Sequence, residues 1–149
     1  MTKKLITYFL FLLVLFAQLS VAEEKFLSLK KNKVNVRYGP SFDSKIKYIY
    51  KKINLPIKQI DKKENFRRIV DLKNNSGWIH ISQVKKSNSI IILEDKILFK
   101  KSSNFSKPIA RLEKGRLLVI KKCENIWCSI ITEDYSGWIK AENVWGSIK

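Results

Sequence analysis

The sequence predicts an all-β chain in which two tandem copies of one small barrel follow an N-terminal export leader. Apolar and polar residues alternate in short runs, and helical spacing is nowhere sustained. Two stretches, Ser76-Gly77-Trp78-Ile79 and Ser136-Gly137-Trp138-Ile139, repeat nearly the same words sixty residues apart. Ahead of both lies an apolar run introduced by two lysines.

The leader comes first. Lys3 and Lys4 precede a run from Leu5 to Phe16 broken only by Thr7, and the small residues Ser20 and Ala22 stand before Glu23. This is the layout of a signal peptide over residues 1–22, removed to leave a periplasmic or secreted protein with no membrane span. The alternative is an uncleaved anchor, since Leu5 to Ala22 is 18 residues, just enough to cross a bilayer. No cysteine lies in this segment to carry a lipid.

Cleavage would lower the formal charge from +17 to +15, with 28 basic against 13 acidic residues. Such a surface favours polyanions, and export makes nucleic acid the least fitting of them. A second explanation stays open. Lysine supplies 25 of the 30 basic residues, beside 20 isoleucines and 10 asparagines, and all three have AT-rich codons.

The two copies are expected at residues 23–86 and 87–149. In the first, strands are expected around Val34 and Val36, then Ile46, Tyr48 and Tyr50, then Leu55 and Ile57, then Arg68, Val70 and Leu72, and last at Gly77-Trp78-Ile79. Turn chemistry separates them: Gly39-Pro40-Ser41, Asn54, Asp61 to Glu64, and Asn74-Asn75-Ser76. Five short strands in about 55 residues describe a small barrel.

The second copy follows with small shifts. An offset of 63 sets Arg37 on Lys100, Phe42 on Phe105, Ile46 on Ile109 and Ile57 on Ile120. Phe66, Ile69 and Val70 match Trp127, Ile130 and Ile131, and Val84 matches Val144. The run Ser89 to Leu93 is its first strand, matched to Lys25 to Leu29.

Cys123 and Cys128 are the only cysteines. In a chain that leaves the reducing cytoplasm they predict a disulfide across a tight turn. A redox-active pair is the alternative, although the spacing is not the two-residue one of thiol oxidoreductases. His80 is the single histidine, so a zinc site lacks donors, and neither metal nor cofactor is expected. It also has no partner pattern for nucleophilic catalysis. The thirteen acids are scattered rather than paired across a cleft, and there is no glycine-rich phosphate loop. The sequence therefore reads as a non-enzyme.

Val34-Asn35-Val36-Arg37, Gly39-Pro40, Leu55-Pro56-Ile57, Phe66 and Gly77-Trp78-Ile79 together resemble the bacterial SH3 domain. Cys123, Trp127-Cys128, Gly137-Trp138 and Trp145-Gly146 resemble the second copy of an exported two-copy subfamily. The resemblance covers nearly the whole chain after the leader. It implies two SH3-like barrels and a binding module of the kind that accompanies cell-wall hydrolases. Phe66 stands where the family usually has tryptophan, and Leu98 to Ser102 departs from the Asn-x-Arg stretch.

Each tryptophan is expected to lid one barrel mouth, with the preceding glycine easing the turn into its strand. Arg37 is expected to hold loop carbonyls with its fork. Together these readings predict recognition of peptidoglycan or another wall component by an aromatic groove ringed with lysines. Its candidate contacts are Arg37, Tyr38, Tyr48 and Trp78 in copy one and Tyr135 and Trp138 in copy two, each with ordinary barrel packing as the alternative. A periplasmic protein–protein adaptor is the second reading, and weak thiol chemistry at Cys123 and Cys128 the third.

Overall fold

The computed structural model describes residues 24–148; the leader expected at residues 1–22 lies outside them. Copy one comprises β1 (Lys25–Leu29), β2 (Val34–Arg37), β3 (Ile46–Tyr50), β4 (Pro56–Lys63), β5 (Phe66–Val70), β6 (Ser76–His80), a 3-10 turn (Ile81–Gln83) and β7 (Val84–Lys86). Copy two repeats the strands as β8 (Ser89–Ile92), β9 (Lys96–Phe99), β10 (Pro108–Leu112), β11 (Leu117–Glu124), β12 (Trp127–Ile131), β13 (Ser136–Lys140) and β14 (Val144–Gly146). No α-helix occurs among the described residues. The sheets have the same order, β3-β2-β6-β5-β4-β1-β7 and β10-β9-β13-β12-β11-β8-β14. The two tandem barrels are thus shown; each has the five strands expected, the first strand expected at Lys25 to Leu29 or Ser89 to Leu93, and one more, β7 or β14.

The chain turns where a left-handed backbone is cheapest. Asn54, Asn74 and Asn125 have φ of 61°, 62° and 54°, and Gly115 occupies the place of Asn54 with φ 86°. In copy one the gap between β7 and β2 is bridged by Gln83. Its carbonyl accepts from the Lys30 N–H at 2.9 Å and its Oε1 from the Asn35 N–H at 3.2 Å.

Alternation puts Leu29, Val34, Val36, Ile57, Ile69 and Ile79 into the first core, all fully buried. Ile90, Ile92, Leu98, Leu112, Leu118, Ile130 and Ile139 form the second. In β5 the inward residue is Ile69 rather than Val70, and Leu72 lies exposed beyond the strand. A register shift in β4, between Gln59 and Asp61, resets the alternation.

Pairing also corrects the match between copies. Arg37 and Phe99 both sit opposite the repeat tryptophan, Arg37 on Trp78 and Phe99 on Trp138, so Phe99, not Lys100, corresponds to Arg37. By the same register Ile46 matches Pro108 and Ile57 matches Leu118. Leu29 and Ile92 share a place as well, each opposite the repeat valine of the last strand.

Gly77 and Gly137 lie inside strands rather than at their entry. A Cβ on Gly77 would meet Val36 Cγ1 at 2.4 Å, and one on Gly137 would meet the Phe99 carbonyl at 2.6 Å. Their role is close strand approach, not turn relief. Because Gly77 and Ile79 face the core, Trp78 between them points away from it. It is an outer-face residue and not a lid on the mouth.

Ser87 and Asn88 join the sheets, and side chains fasten them. The Ser89 hydroxyl donates to the Asn54 carbonyl, which leaves Ser28 as donor in the 2.7 Å bond between the two buried serine hydroxyls. The Asn88 N–H donates to Ser28 Oγ at 3.3 Å. Trp145 of β14 reaches back to copy one, its Nε1–H on the Pro56 carbonyl at 3.1 Å and its ring edge-on to Phe26 at 5.1 Å.

Candidate functional site

The outward faces gather the aromatics. In copy one Arg37, Trp78 and Arg68 form a cross-strand row. Arg37 Nη1 donates to the carbonyls of Phe42 at 2.9 Å and Ser44 at 2.7 Å, so its fork does hold the loop after β2. The loop lays Phe42 on Phe66 and His80, with ring centroids 5.2 and 4.8 Å apart, and the Arg37 guanidinium lies 5.7 Å from the Phe42 ring. This roof explains why Phe66 is buried although its strand position points outward.

Copy two leaves the same face open. Phe99 packs edge-on to Trp127 at 5.7 Å, while the ammonium groups of Lys122 and Lys140 stand over Trp138 and Trp127 at 5.2 and 5.8 Å. The loop after β9 lays no ring on this face. Hydrogen bonding sets Asn104 where copy one has Phe42, and Phe105 is 100% exposed at the tip.

The expected contacts do not share one groove. Trp78 and Arg37 stand together on the outer face. Tyr38 is 66% exposed at the loop start, under the Lys47 ammonium at 5.6 Å. Tyr48 faces the other way and packs on the core beside Tyr50. The Tyr50 hydroxyl donates to Asp71 at 3.0 Å, and the two phenol oxygens lie 3.3 Å apart. Burial raises both phenol pKa values above the ordinary tyrosine range. In copy two Trp138 lies on the outer face and Tyr135 in the turn before β13, its N–H on Thr132 Oγ1 at 3.0 Å.

Phe99, Trp127, Phe42 and His80 are the residues that sequence reasoning left out of this surface. The one-residue error in aligning Arg37 concealed Phe99, and only the fold brings the other three together.

His80 fills a turn. Its Nδ1 accepts from the Ser82 N–H at 3.3 Å and lies 2.8 Å from Ser82 Oγ. Cys123 and Cys128 are directly opposed on β11 and β12 and joined by a disulfide, with Cα atoms 4.1 Å apart. Among the described residues no group of three or more His, Cys, Asp or Glu is placed to hold a metal, and no helix is long and apolar enough to cross a membrane.

The family model described as bacterial SH3 domain matches residues 30–86 and 97–146. No match was found among curated proteins. Among solved structures, NlpC2 from Trichomonas vaginalis is similar at 12% identity and a TM-score of 0.39, over 86% of this chain and 50% of that one. NlpC1 from the same organism is similar at 12% identity and a TM-score of 0.38, over 88% of this chain and 49% of that one. The chain spans about half the length of these two proteins.

Proposed function

We propose that this chain, which belongs to the bacterial SH3 domain family, is a non-catalytic module of the exported cell envelope that recognises peptidoglycan or another wall component. The family is in general one of binding modules. The observation that carries the reading is the open face of copy two, where the half-buried Trp127 and Trp138 lie beneath Lys140 and Lys122. Indole faces offer stacking area to sugar rings, and the ammonium groups beside them meet carboxylates. Arg37, Tyr38, Trp78, Tyr135 and Trp138 are the proposed contacts, with Tyr48 supporting them from within copy one. A leader cleaved near Glu23 and a periplasmic or secreted location belong to the same proposal, as do domain limits of 23–86 and 87–149.

Co-sedimentation with purified wall sacculi tests it. The chain should be retained at low salt, and retention should persist in moderate salt because stacking is not screened. Loss of all retention in moderate salt would reduce the interaction to charge. No retention at low salt would end the proposal.

The second reading, a periplasmic adaptor, draws on edge strand β3, which has one paired neighbour and exposes Ile46 and Ile49. Crosslinking in intact cells that captures one dominant protein would favour it.

A further inference from the structure

A cleft of about 620 Å³ lies between the two copies, within the size range of small-ligand sites. Its floor belongs to copy two. Leu117 and Val119 alternate on β11 with the buried Leu118, and Ile131 pairs directly with Val119, so the three form an apolar stripe outside the core. Ile53 of copy one also lines the cleft.

Lys51, Lys52 and Arg116 line the cleft, and none of their side chains has an ion-pair or hydrogen-bond partner among the described residues. Glu133 is the single acid in the lining. Copy one has no counterpart to the floor. At the places of Val119 and Ile131 it carries Lys58 and Val70, and Lys58 is paired with Glu24.

We propose that this inter-copy cleft binds a short carboxylate-bearing peptide. Three cations against one acid favour an anionic ligand, and with one anion already present the ligand can also carry an amine. The lining contains no aromatic ring, so it offers no stacking platform for sugar or base. Aliphatic side chains of this size receive methyl-sized groups between charged ends. The serine relay and the Trp145–Pro56 bond hold the walls in place, which lowers the ordering cost of binding. Neither copy alone has the site.

The inference rests on the wall-binding reading only for the source of the peptide. Sacculi cleaved at the bond between sugar and peptide yield a peptide fraction and a glycan fraction, and each is titrated into the full chain by ¹H–¹⁵N spectroscopy. The peptide fraction should shift the amide signals of Lys52, Ile53, Val119 and Ile131, and Arg116→Glu should weaken that binding at least about ten-fold. Lys107→Glu, an exposed position just ahead of β10 and outside the cleft, should leave it unchanged. Equal binding by Arg116→Glu and wild type, or glycan entering the cleft, would overturn the inference while wall binding stands. If neither sacculi nor either fraction binds, the wall reading fails. Acetyl-Ala-Glu-Ala-Ala with a free carboxyl end then decides the cleft separately: shifts at the same four amides sustain it, and their absence removes it.

Discussion

At the tip of the hairpin β4–β5, Lys62 stands directly opposite Arg67; at the same place on β11–β12, Cys123 faces Cys128. Beside the core, copy one carries Tyr48, Tyr50 and Asp71 linked by hydroxyls, and copy two has Ala110, Leu112 and Thr132 at those places. The loop after β2 is held by Arg37 and roofed by Phe42, whereas its counterpart leaves Phe105 in solvent. One sheet order thus supports two means of stabilisation. Copy one relies on polar side-chain networks, and copy two on a covalent link, aliphatic filling and an open aromatic face.

The largest effect should come from the feature the copies share. Gly137→Ala sets a Cβ 2.6 Å from the Phe99 carbonyl and against Leu98, and Gly77→Ala sets one 2.4 Å from Val36 Cγ1. Each should destabilise its own copy by about 2–3 kcal/mol. Denaturant unfolding resolves them, because Trp78 reports copy one and Trp127 and Trp138 report copy two. Unaltered unfolding of the substituted copy would refute close strand approach as the reason for the glycine.

Reduction of the disulfide, or the pair Cys123→Ser and Cys128→Ala, comes next. A loop of this length constrains the unfolded chain by about 2 kcal/mol. Copy two should lose that amount and copy one should lose nothing.

Acid and alkali should divide the copies in opposite directions. The Lys114 backbone N–H and the Arg111 guanidinium hold the Asp95 carboxyl below its usual pKa, and Lys96 and Asn143 do the same for Glu94. Depressed carboxylate values give copy two stability that is present above about pH 4 and lost as the pH falls through the lowered values. Tyr48 and Tyr50 are raised, so their contribution to copy one is complete below about pH 10 and is lost as the pH climbs above it. Thermal unfolding at several pH values should show copy two weakening first in acid and copy one first in alkali. Tyr50→Phe should flatten the alkaline limb.

The smallest effect is at the hairpin tip of copy one. Like charges directly opposite are destabilising, so Lys62→Glu should raise the melting midpoint of copy one by a gain of about 0.5 kcal/mol. A fall instead would show that Arg67, whose guanidinium turns onto the Glu64 and Phe66 carbonyls, has escaped the repulsion.

The repeat, the strands and the disulfide were legible because each leaves a local mark: alternation, a repeated Gly-Trp, and cysteines five positions apart in a chain read as exported. The alignment of Arg37 was misread by one residue because Phe42 and Phe105 suggest a match that hydrogen bonding does not make. Trp78 was misplaced for a related reason. Tryptophan suggests a lid, but its direction is set by Gly77 and Ile79 facing inward, which depends on pairing across the sheet. The seam was illegible, since Phe26, Pro56 and Trp145 meet only when both copies are folded.

The bond from Trp145 to Pro56 spans 89 residues and joins β4 of the first copy to β14 of the second. Copy one can close its own sheet as soon as β7 has emerged, but its Phe26 flank stays bare until β14 has been made. Fastening the pair thus waits for the second copy, and a nonsense codon between positions 88 and 145 would release an intact first half with that flank uncovered and open to chance association.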